Sequence, residues 1–451
     1  MNVEQAGLKI SRILHAGYAF ECDGVQILFD PIFENPFSRN CHAFPNVEFD
    51  REQIESLKPA AIFISHHHDD HCSFESLAFL NRNTPVYLYC AHEELFGWIR
   101  QMGFKGVNRL KLDSAVEIGP FKITPHKAWD DVDAIFQIQA AGLNVLNVVD
   151  ALIDPGTIPL LTSQAPWDMI LWPFQTLRET AALSPRRALA AAQELPPEWF
   201  EELSALNPRY IVPSSCQFIH EPWSWYNHAM FPISYRQFKD EMERALPGTQ
   251  VIRLNPSVAV TLNREDVTAQ APLTWVRAIG NQDVDYEYQN GIKASSTAEI
   301  SRHFPALSDA QMEDIHEYCT STMLTRYRSL EPSGEPYFAK PKIWSLTIFT
   351  AGKVAYQFRY RLTLKNLERA ADYEGPVGWS TEVPAFKLHA ALCNGESLTS
   401  MYMRINDMVF DPAVENEIGS ADVVEDPLVR CLFSGVFGAY QAAQLQKLER
   451  R

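Results

Sequence analysis

AAIFISHHHDDHCSFESL, residues 60–77, joins a short apolar run to six consecutive ionisable side chains. The apolar residues 61–65 are typical of a buried β-strand. Because residues i and i+2 of an extended chain point to the same side, His66 and His68 can bind one metal ion together. The sequence therefore predicts a metal site at the point where this strand ends.

The residues after this pair supply ligands for a second metal beside the first. The chain must turn before a helix predicted to begin near Ser73, and Asp70 and His71 lie on that turn. Imidazoles and a carboxylate suit zinc, iron or manganese, and catalytic sites of this kind keep positions open for water or substrate. The alternative is a solvated loop rich in histidine. Ionisable side chains at the end of a buried strand are costly without a counter-ion, which disfavours that alternative.

Composition and charge limit the classes of protein that fit. The chain has 451 residues, 46% of them hydrophobic, which is enough for two packed domains. Its 39 Lys+Arg against 56 Asp+Glu give a net charge of −17, which argues against a broad nucleic-acid-binding surface. The eight cysteines are scattered, and neither a signal peptide nor a membrane-spanning run is visible. We therefore expect a cytoplasmic protein.

Strand and helix patterns divide the chain into two parts. Residues 1–264 alternate short β-branched runs with helical patterns, which is typical of an α/β domain with covered sheets. Residues 265–451 are predicted to form a C-terminal α+β domain. Its predicted elements are a hairpin over residues 344–362, strands at 402–405 and 408–410, and a final helix over 438–448. The hairpin is expected either to close over the metal pocket or to form a homodimer contact.

H-x-H-x-D-H after an apolar strand resembles a motif of the metallo-β-lactamase fold, an αββα sandwich with its metals at the sheet edges. The segment ILFDP resembles the first motif of that fold, and the resemblance implies that Asp30 orients the metal ligands from behind them. The segment VLNVVD resembles the fourth motif, whose aspartate bridges both metals. Asp150 stands at that place.

The same resemblance requires a histidine from the third motif, between these two segments. His126, at the end of FKITP, is the candidate ligand. Asp131 and Asp133 are the alternatives, because carboxylates replace this histidine in some relatives.

The fifth motif departs from the pattern, because Ser214-Ser215-Cys216 stands where a histidine is usual. His220 is the candidate to reach back as a ligand, and His228 is the other histidine nearby. If neither reaches, the second metal keeps only Asp70, His71 and Asp150, an oxygen-rich set that suits iron or manganese at least as well as zinc.

A closer resemblance is carried by IFISHHHDDHCSFESL, GLNVLNVVDALIDPG and LNPRYIVPSSCQF. These stretches resemble the metallo-β-lactamase part of CMP-N-acetylneuraminate hydroxylase, strongly over about residues 8–265 and weakly beyond. The paired C-x-H and C-x-x-H ligands of a Rieske iron–sulfur module are missing from the sequence. His15, in the context H-A-x-x-x-x-E, is also similar to the wider group that includes N-acylphosphatidylethanolamine phospholipase D and ascorbate-phosphate lactonases. The resemblance implies that His15 contacts and orients the metal ligands without binding the metal itself.

Two functions follow as hypotheses. The resemblance implies a dinuclear oxygenase, with iron favoured, that hydroxylates a small molecule and takes electrons from a separate protein. The alternative is a zinc- or manganese-dependent hydrolase of a phosphodiester, ester or lactone, in which Asp70 or Asp150 orients the attacking water. Residues that follow the fourth and fifth motifs are the candidate substrate contacts, although each of them could instead pack against the sheets. They are Trp172, Gln175, Phe218 and Trp225.

Overall fold

Two β-sheets packed face to face form the N-terminal part of the protein in its computed structural model. The structure describes residues 7–130, 132–352, 354–407, 410, 418–419, 421–435 and 437–450. The first sheet consists, in order across it, of Val267–Gln270 (β18), Ala259–Leu262 (β17), Leu8–Arg12 (β1), Tyr18–Cys22 (β2), Val25–Phe29 (β3), Ala61–Ile64 (β6), Val86–Leu88 (β7) and Val107–Arg109 (β8). The second sheet consists of Gln250–Val251 (β16), Tyr210–Ser214 (β14), Met169–Pro173 (β13), Leu143–Asn147 (β12), Ala134–Ala140 (β11), Phe121–Lys127 (β10) and Val116–Ile118 (β9).

Helices cover the outer faces of both sheets and continue into the C-terminal part. In chain order they are Arg51–Glu55 (α1), Phe74–Leu77 (α2), Glu93–Gln101 (α3), Ile158–Thr162 (α4), Glu179–Leu183 (α5), Pro197–Leu206 (α6), Tyr226–Ala229 (α7), Tyr235–Ala245 (α8), Thr297–Ile300 (α9), Asp309–Glu317 (α10), Met323–Ser329 (α11), Ala385–Asn394 (α12), Pro427–Phe433 (α13) and Ala439–Glu449 (α14). Within the described residues, each helix is too short or too polar to cross a membrane.

The space between the sheets is filled by apolar side chains from both of them. Phe29 stacks on Phe63 of the neighbouring strand, with ring centroids 4.9 Å apart, and meets Phe136 of the second sheet edge-on at 5.1 Å. Strand β6 lies between two parallel neighbours, and all four of its residues are buried. A strand covered on both faces has an uninterrupted run of apolar residues, which explains the sequence AIFI of β6 before the histidines. The layers are those of the predicted αββα sandwich.

The N-terminal part extends beyond the predicted boundary at residues 264/265. Strand β18 pairs with β17 and so widens the first sheet. Farther along, Val276–Ala278 (β19) pairs with Val47–Phe49 (β5), and the buried Tyr286 stacks on Phe231 at 4.9 Å. A second small ribbon joins His42–Ala43 (β4) to Phe218–Ile219 (β15). We therefore propose a boundary near residue 295, because the segments before it pack on the sandwich.

The C-terminal part has a mixed five-stranded sheet with its own apolar core. Its strands, in order, are Leu367–Arg369 (β22), Ala355–Leu362 (β21), Lys342–Phe349 (β20), Trp379–Pro384 (β23) and Arg404–Ile405 (β24). The predicted hairpin is present as β20 and β21, but its residues do not line the cavity described below. Strand β24 pairs with β23, and the predicted partner strand includes Met408 and Val409, which lie outside the described residues.

The final helix α14, predicted over residues 438–448, packs against the loop that follows β6. The Gln441 amide donates hydrogen bonds to the backbone oxygens of His67 and Cys72, at 2.7 and 3.0 Å. Gln444 accepts from the backbone N–H of Phe74 at 2.7 Å and donates to the Ser73 hydroxyl at 3.0 Å. Both glutamines are buried. The helix therefore fixes both ends of the segment that carries His68, Asp69, Asp70 and His71.

Replacing Gln441 with alanine is expected to weaken metal binding about tenfold, as is usual for residues that hold ligands in place. The backbone oxygens of His67 and Cys72 would lose their donor, and the loop between them would sample other conformations. Competition with a chelator measures the affinity, and Gln446→Ala, at an exposed position of the same helix, is the control. Unchanged affinity in Gln441→Ala would show that α14 does not fix the loop.

Candidate metal centre

The loop after β6 brings its ionisable residues to the ends of neighbouring strands. The backbone N–H groups of His71 and Cys72 both donate to the His68 carbonyl, at 3.1 and 2.8 Å, which closes a tight turn. Helix α2 then begins with the Ser73 hydroxyl accepting from the backbone N–H of Ser76 at 3.3 Å. This N-cap is the reason the chain reverses at Ser73, as the sequence predicted.

Four side chains converge on one point, and each offers a ligand atom within 4.8 Å of the others: His15, Asp70, His71 and Asp150. His71 Nε2 lies 2.9 Å from Asp150 Oδ2 and 3.6 Å from Asp70 Oδ2. His15 Nε2 lies 3.1 Å from Asp70 Oδ2 and 3.3 Å from His71 Nε2. Two imidazoles and two carboxylates at these distances form a set that a divalent metal ion suits.

His15 stands in this cluster because of the turn between β1 and β2. The turn is closed by hydrogen bonds between Ile13 and Gly17 and between Gly17 and Leu14, and His15 has a φ of +54° at its tip. A β-carbon on Gly17 would lie 2.8 Å from the Asp30 carbonyl, so only glycine allows the turn to approach β3. The resemblance implied a supporting role for His15, whereas its position favours a ligand role, which we propose.

Asp30 has the contacts expected of a residue that orients a ligand from behind. It ends β3, is buried, and accepts hydrogen bonds from the Ser65 backbone N–H at 2.8 Å and the Ser65 hydroxyl at 2.7 Å. Its second oxygen lies 3.0 Å from His71 Nδ1. With Nδ1 held by Asp30, the opposite nitrogen Nε2 faces Asp150 and the cluster.

His66 and His68 form a second half of the site beside this cluster. His66 Nε2 and His68 Nδ1 are 2.9 Å apart, as expected for two atoms that share one metal ion. The carboxylate of Asp133, directly before β11, has its Oδ1 3.6 Å from His66 Nδ1, the ring nitrogen that does not meet His68. Asp133, one of the two alternatives for the third ligand, therefore contacts His66 on the side away from His68 Nδ1. The other alternative, Asp131, lies outside the described residues.

His126 lies on the outer side of the second sheet. It pairs with Ile135 across β10 and β11, and directly opposed residues of antiparallel strands share one face. Its Nδ1 lies 2.7 Å from Asp113 and its Nε2 lies 3.4 Å from Gln137. Because these contacts use both ring nitrogens, the structure does not bring His126 to His66 and His68, contrary to the sequence-based assignment.

The histidines after the fifth motif are also engaged elsewhere. His220 is fully buried, with Nδ1 3.0 Å from Asn40 and Nε2 3.3 Å from the Met230 sulfur. His228 Nδ1 lies 3.0 Å from the Glu287 carbonyl. The structure therefore gives neither residue a place in the cluster, whose second imidazole comes from His15 between β1 and β2.

Charge in the metal-free cluster is balanced by a proton on His71. Burial alone lowers the pKa of His71, but the carboxylates of Asp150 and Asp70 raise it well above its usual value. Burial raises the pKa of Asp70, yet the His71 and His15 rings hold it well below its ordinary range. Burial raises the pKa of Asp150, but the His71 and His66 rings together lower it below its ordinary range. The carboxylates of the cluster therefore favour a positive charge at this point, on His71 or on a bound cation.

Two carboxylate oxygens in the site fit a metal ion and are otherwise unexplained. Oδ1 of Asp133 and Oδ1 of Asp150 are both buried without a hydrogen-bond partner among the described residues. Burial and the Asp150 charge raise the pKa of Asp133 to about 6. Unpaired buried carboxylate oxygens of this kind are costly without a cation nearby, so the donor set fits bound metal.

Metal binding at pH 7 is expected to release about one proton per protein molecule, because a ligating imidazole must be neutral and the neighbouring carboxylates raise the pKa of His71 well above its usual value. Affinity should consequently fall as the pH falls, since protons then compete better for His71. Calorimetry with zinc in buffers of different ionisation enthalpy measures the number released. A binding heat that does not depend on the buffer would contradict protonation of His71.

A cavity of about 840 Å³ opens beside the cluster. Of the candidate substrate contacts, Gln175 and Phe218 line it, although the Gln175 amide is bonded to the Ile233 backbone at 2.6 and 3.2 Å. Trp172 and Trp225 do not line it; they pack against Trp199 and Tyr226, respectively.

Sequence patterns did not reveal two other parts of the cavity wall. The C-terminal part contributes residues 395–399, 432–433 and 438–441, and Glu179 enters from α5. Only the three-dimensional packing of the two parts brings these segments to the metal cluster, and none of them carries a motif.

Comparisons with known proteins gave matches among solved structures. Neither a family model nor a curated protein sequence matches the chain. Similar solved structures include Igni18, a metallo hydrolase from Ignicoccus hospitalis, with 16% identity over 57% of this chain and 100% of that one, TM-score 0.39. CmlA, a diiron β-hydroxylase from Streptomyces venezuelae, has 17% identity over 58% of this chain and 54% of that one, TM-score 0.41. YhfI from Bacillus subtilis, a metallo-β-lactamase-fold protein, has 14% identity over 56% and 98%, TM-score 0.38.

The sandwich itself and the place of the motif in it decide the fold family. Two facing sheets are covered by helices, and the H-x-H-x-D-H loop follows the buried strand β6 at the sheet ends. The closer resemblance to CMP-N-acetylneuraminate hydroxylase stays a prediction. With Asp30, Asp150 and the histidine loop gathered at one edge, the N-terminal part of this chain has the metallo-β-lactamase fold.

Proposed function

We propose that the protein is a dinuclear metal oxygenase that uses iron to hydroxylate a small molecule. The observation that carries this proposal is the share of carboxylates in the site: Asp70 and Asp150 join His15 and His71, and Asp133 contacts His66. Histidines and carboxylates with open positions are the ligand set of many non-haem iron oxygenases.

His66 and His68 form the other half of the site. Asp150 has one oxygen on His71, and its other oxygen is buried without a hydrogen-bond partner among the described residues. We assign that second oxygen to the metal ion of His66 and His68. Two ferrous ions held by these residues would supply the activation of dioxygen.

The surrounding residues prepare the site for such chemistry. Asp30 holds Nδ1 of His71, and α14 holds the loop from the opposite side. Cys41 and Cys216 line the cavity, and burial raises the pKa of both thiols, so they remain protonated. Neutral thiols are weak ligands, which leaves metal coordination to the histidines and carboxylates. Electrons would come from a separate protein.

Metal and oxygen measurements on the purified protein test this proposal. We expect protein produced with iron to hold about two iron ions, to show a near-ultraviolet band that dithionite bleaches, and to consume dioxygen when reduced. Two zinc ions, no colour and turnover of bis(p-nitrophenyl) phosphate without dioxygen would instead show a hydrolase.

A hydrolase is the second candidate because of His15. It adds a histidine to Asp70 and His71, the position at which the fifth motif of the fold usually provides one. Such a set also suits zinc with a bound water. Asp150 or Asp70 would then orient the water. The metal content of the native protein separates the two candidates.

A further inference from the structure

A path of contacting rings runs from the metal cluster toward the molecular surface. The His15 ring meets Phe218 edge-on, with ring centroids 5.8 Å apart, and Phe218 meets His220 at 5.7 Å. His220 in turn meets Tyr226 edge-on at 5.1 Å. Phenylalanine and imidazole rings are hard to oxidise, whereas a phenol is not. Tyr226 is therefore the first ring on this path from which an electron can be removed.

Beyond Tyr226 the ring path consists of side chains that can lose an electron. Tyr402, from the C-terminal part, stacks on Tyr226 at 4.9 Å and meets Trp223 at 5.0 Å. Trp223 stacks on His303 at 4.2 Å with the two rings nearly parallel. Both tyrosines are only 1% exposed, whereas Trp223 is partly buried and His303 is exposed. The ring path thus crosses a buried pair of tyrosines and reaches solvent where the two parts of the protein meet.

Tyr402 has an acceptor for its proton in direct contact. Its hydroxyl donates a hydrogen bond to Oε2 of Glu221. Burial, and then the Glu221 charge, raise the pKa of Tyr402, so the phenol is protonated. A phenol that loses an electron becomes a strong acid and must release its proton. A base has to lie within hydrogen-bond reach of the proton that it takes, and Glu221 does.

The backbone of Tyr402 is strained where it holds the ring in this place. Its φ of +51° and ψ of +35° lie in the left-handed region, which is rare for a bulky aromatic residue. Such conformations persist only where the surrounding structure enforces them, and they are concentrated at functional sites. A ring needed only to fill the core could come from relaxed backbone. The strain is therefore a sign, separate from the ring contacts, that this position has a function.

Tyr286 lacks the feature that distinguishes Tyr402. It is reached from Phe218 through Phe231, at 5.3 and 4.9 Å, much as Tyr226 is reached through His220. Its hydroxyl donates to two backbone carbonyl oxygens, which do not take up a proton. Loss of an electron from Tyr286 is therefore unfavourable, although its ring also connects to the metal cluster. Tyr286 is a matched control for the ring path.

We infer that Tyr226, Tyr402 and Trp223 carry oxidising equivalents away from the metal centre when no substrate is bound. The inference rests on the proposed function, because tyrosine and tryptophan give up electrons only to a strong oxidant. One electron moves from Tyr402 through Tyr226 to the oxidised metal centre, and the Tyr402 proton moves to Glu221. Trp223 then returns an electron to Tyr402, which takes its proton back. A soluble one-electron reductant such as ascorbate restores Trp223.

Hydrogen peroxide added to iron-loaded protein without substrate tests the ring path and requires no turnover. Each peroxide molecule takes two electrons and two protons and yields two water molecules. The first electrons come from the ferrous ions and the later ones from side chains. We expect freeze-quenched samples to show a tyrosyl radical by electron paramagnetic resonance. A spin trap, followed by mass spectrometry of peptides, should mark Trp223. Zinc-loaded protein, in which the metal cannot be oxidised, should give neither signal.

Three variants assign these signals to residues. Tyr402→Phe keeps the ring but has no phenol proton to lose, and Glu221→Gln keeps a hydrogen-bond acceptor that is too weak a base. Both should hold as much iron as the unmodified protein and lose the tyrosyl radical and the Trp223 adduct. Tyr286→Phe should hold the same iron and keep both signals. Metal content is measured on each preparation before peroxide is added.

A Trp223 adduct that persists in Tyr402→Phe and Glu221→Gln would overturn the inference. So would iron-loaded protein that forms neither signal, or a loss of both in Tyr286→Phe alone. Dioxygen consumption is measured separately. Protein that binds iron and gives both signals with peroxide, but consumes no dioxygen, would lose the oxygenase proposal and keep the ring path. Protein that retains no iron would overturn both.

Discussion

His68→Ala is expected to lose its metal during dialysis, with an affinity reduced by more than about 100-fold, because the change removes a ligand outright rather than a supporting contact. His68 is exposed, and its polar contact is the one with His66, so the fold should be little affected. We expect the free energy of unfolding in a chelator to change by less than about 1 kcal/mol. Elemental analysis and denaturant unfolding measure the two effects.

His316→Ala is the matched control, because His316 is exposed on α10. It should keep the full metal content and the same stability. Near-stoichiometric metal in His68→Ala would remove the first half of the proposed site. A loss of folding in that variant would show that the imidazole has a structural role instead.

Asp133→Ala and His126→Ala are expected to give opposite results. Asp133 lies beside His66 with an unpartnered oxygen, so its removal should cost about one metal ion per molecule. His126 is occupied by Asp113 and Gln137 on the outer face of the sheet, so its removal should leave both metals bound. Elemental analysis of the two proteins, prepared side by side with iron, gives the answer.

Loss of metal from His126→Ala with full retention in Asp133→Ala would restore the assignment made from sequence. Asp133→Glu adds a further check, since a longer carboxylate can still reach the metal. We expect it to retain both ions with altered visible absorption, which a purely structural aspartate would not produce.

The histidine loop was predictable because its geometry is local. The alternation of an extended chain and the Ser73 N-cap are set by adjacent residues, and the structure has both. The assignment of His126 as a ligand was wrong because its position depends on contacts that are not local. The face on which a strand residue lies depends on pairing with β11, and a shift of one residue reverses it.

His15 and the cavity wall needed the tertiary structure. His15 adopts a left-handed conformation, and Gly17 allows its turn to lie close to β3. No sequence pattern near residue 15 predicts this contact with β3. We predicted a domain boundary near residue 265 because the periodic pattern of apolar residues is lost there. Strands β18 and β19, which follow it, nevertheless pair in sheets that include strands from residues 8–49. Short edge strands of this kind carry too few residues for a clear period.

The packing of α14 on the histidine loop has a consequence for the order of events during biosynthesis. Gln441 and His67 are 374 residues apart, so a nascent chain exposes its metal-binding histidines long before the glutamine that braces them is made. The N-terminal sandwich would therefore emerge from the ribosome with an unbraced loop. We expect it to bind metal firmly only after α14 has been synthesised and has packed against that loop.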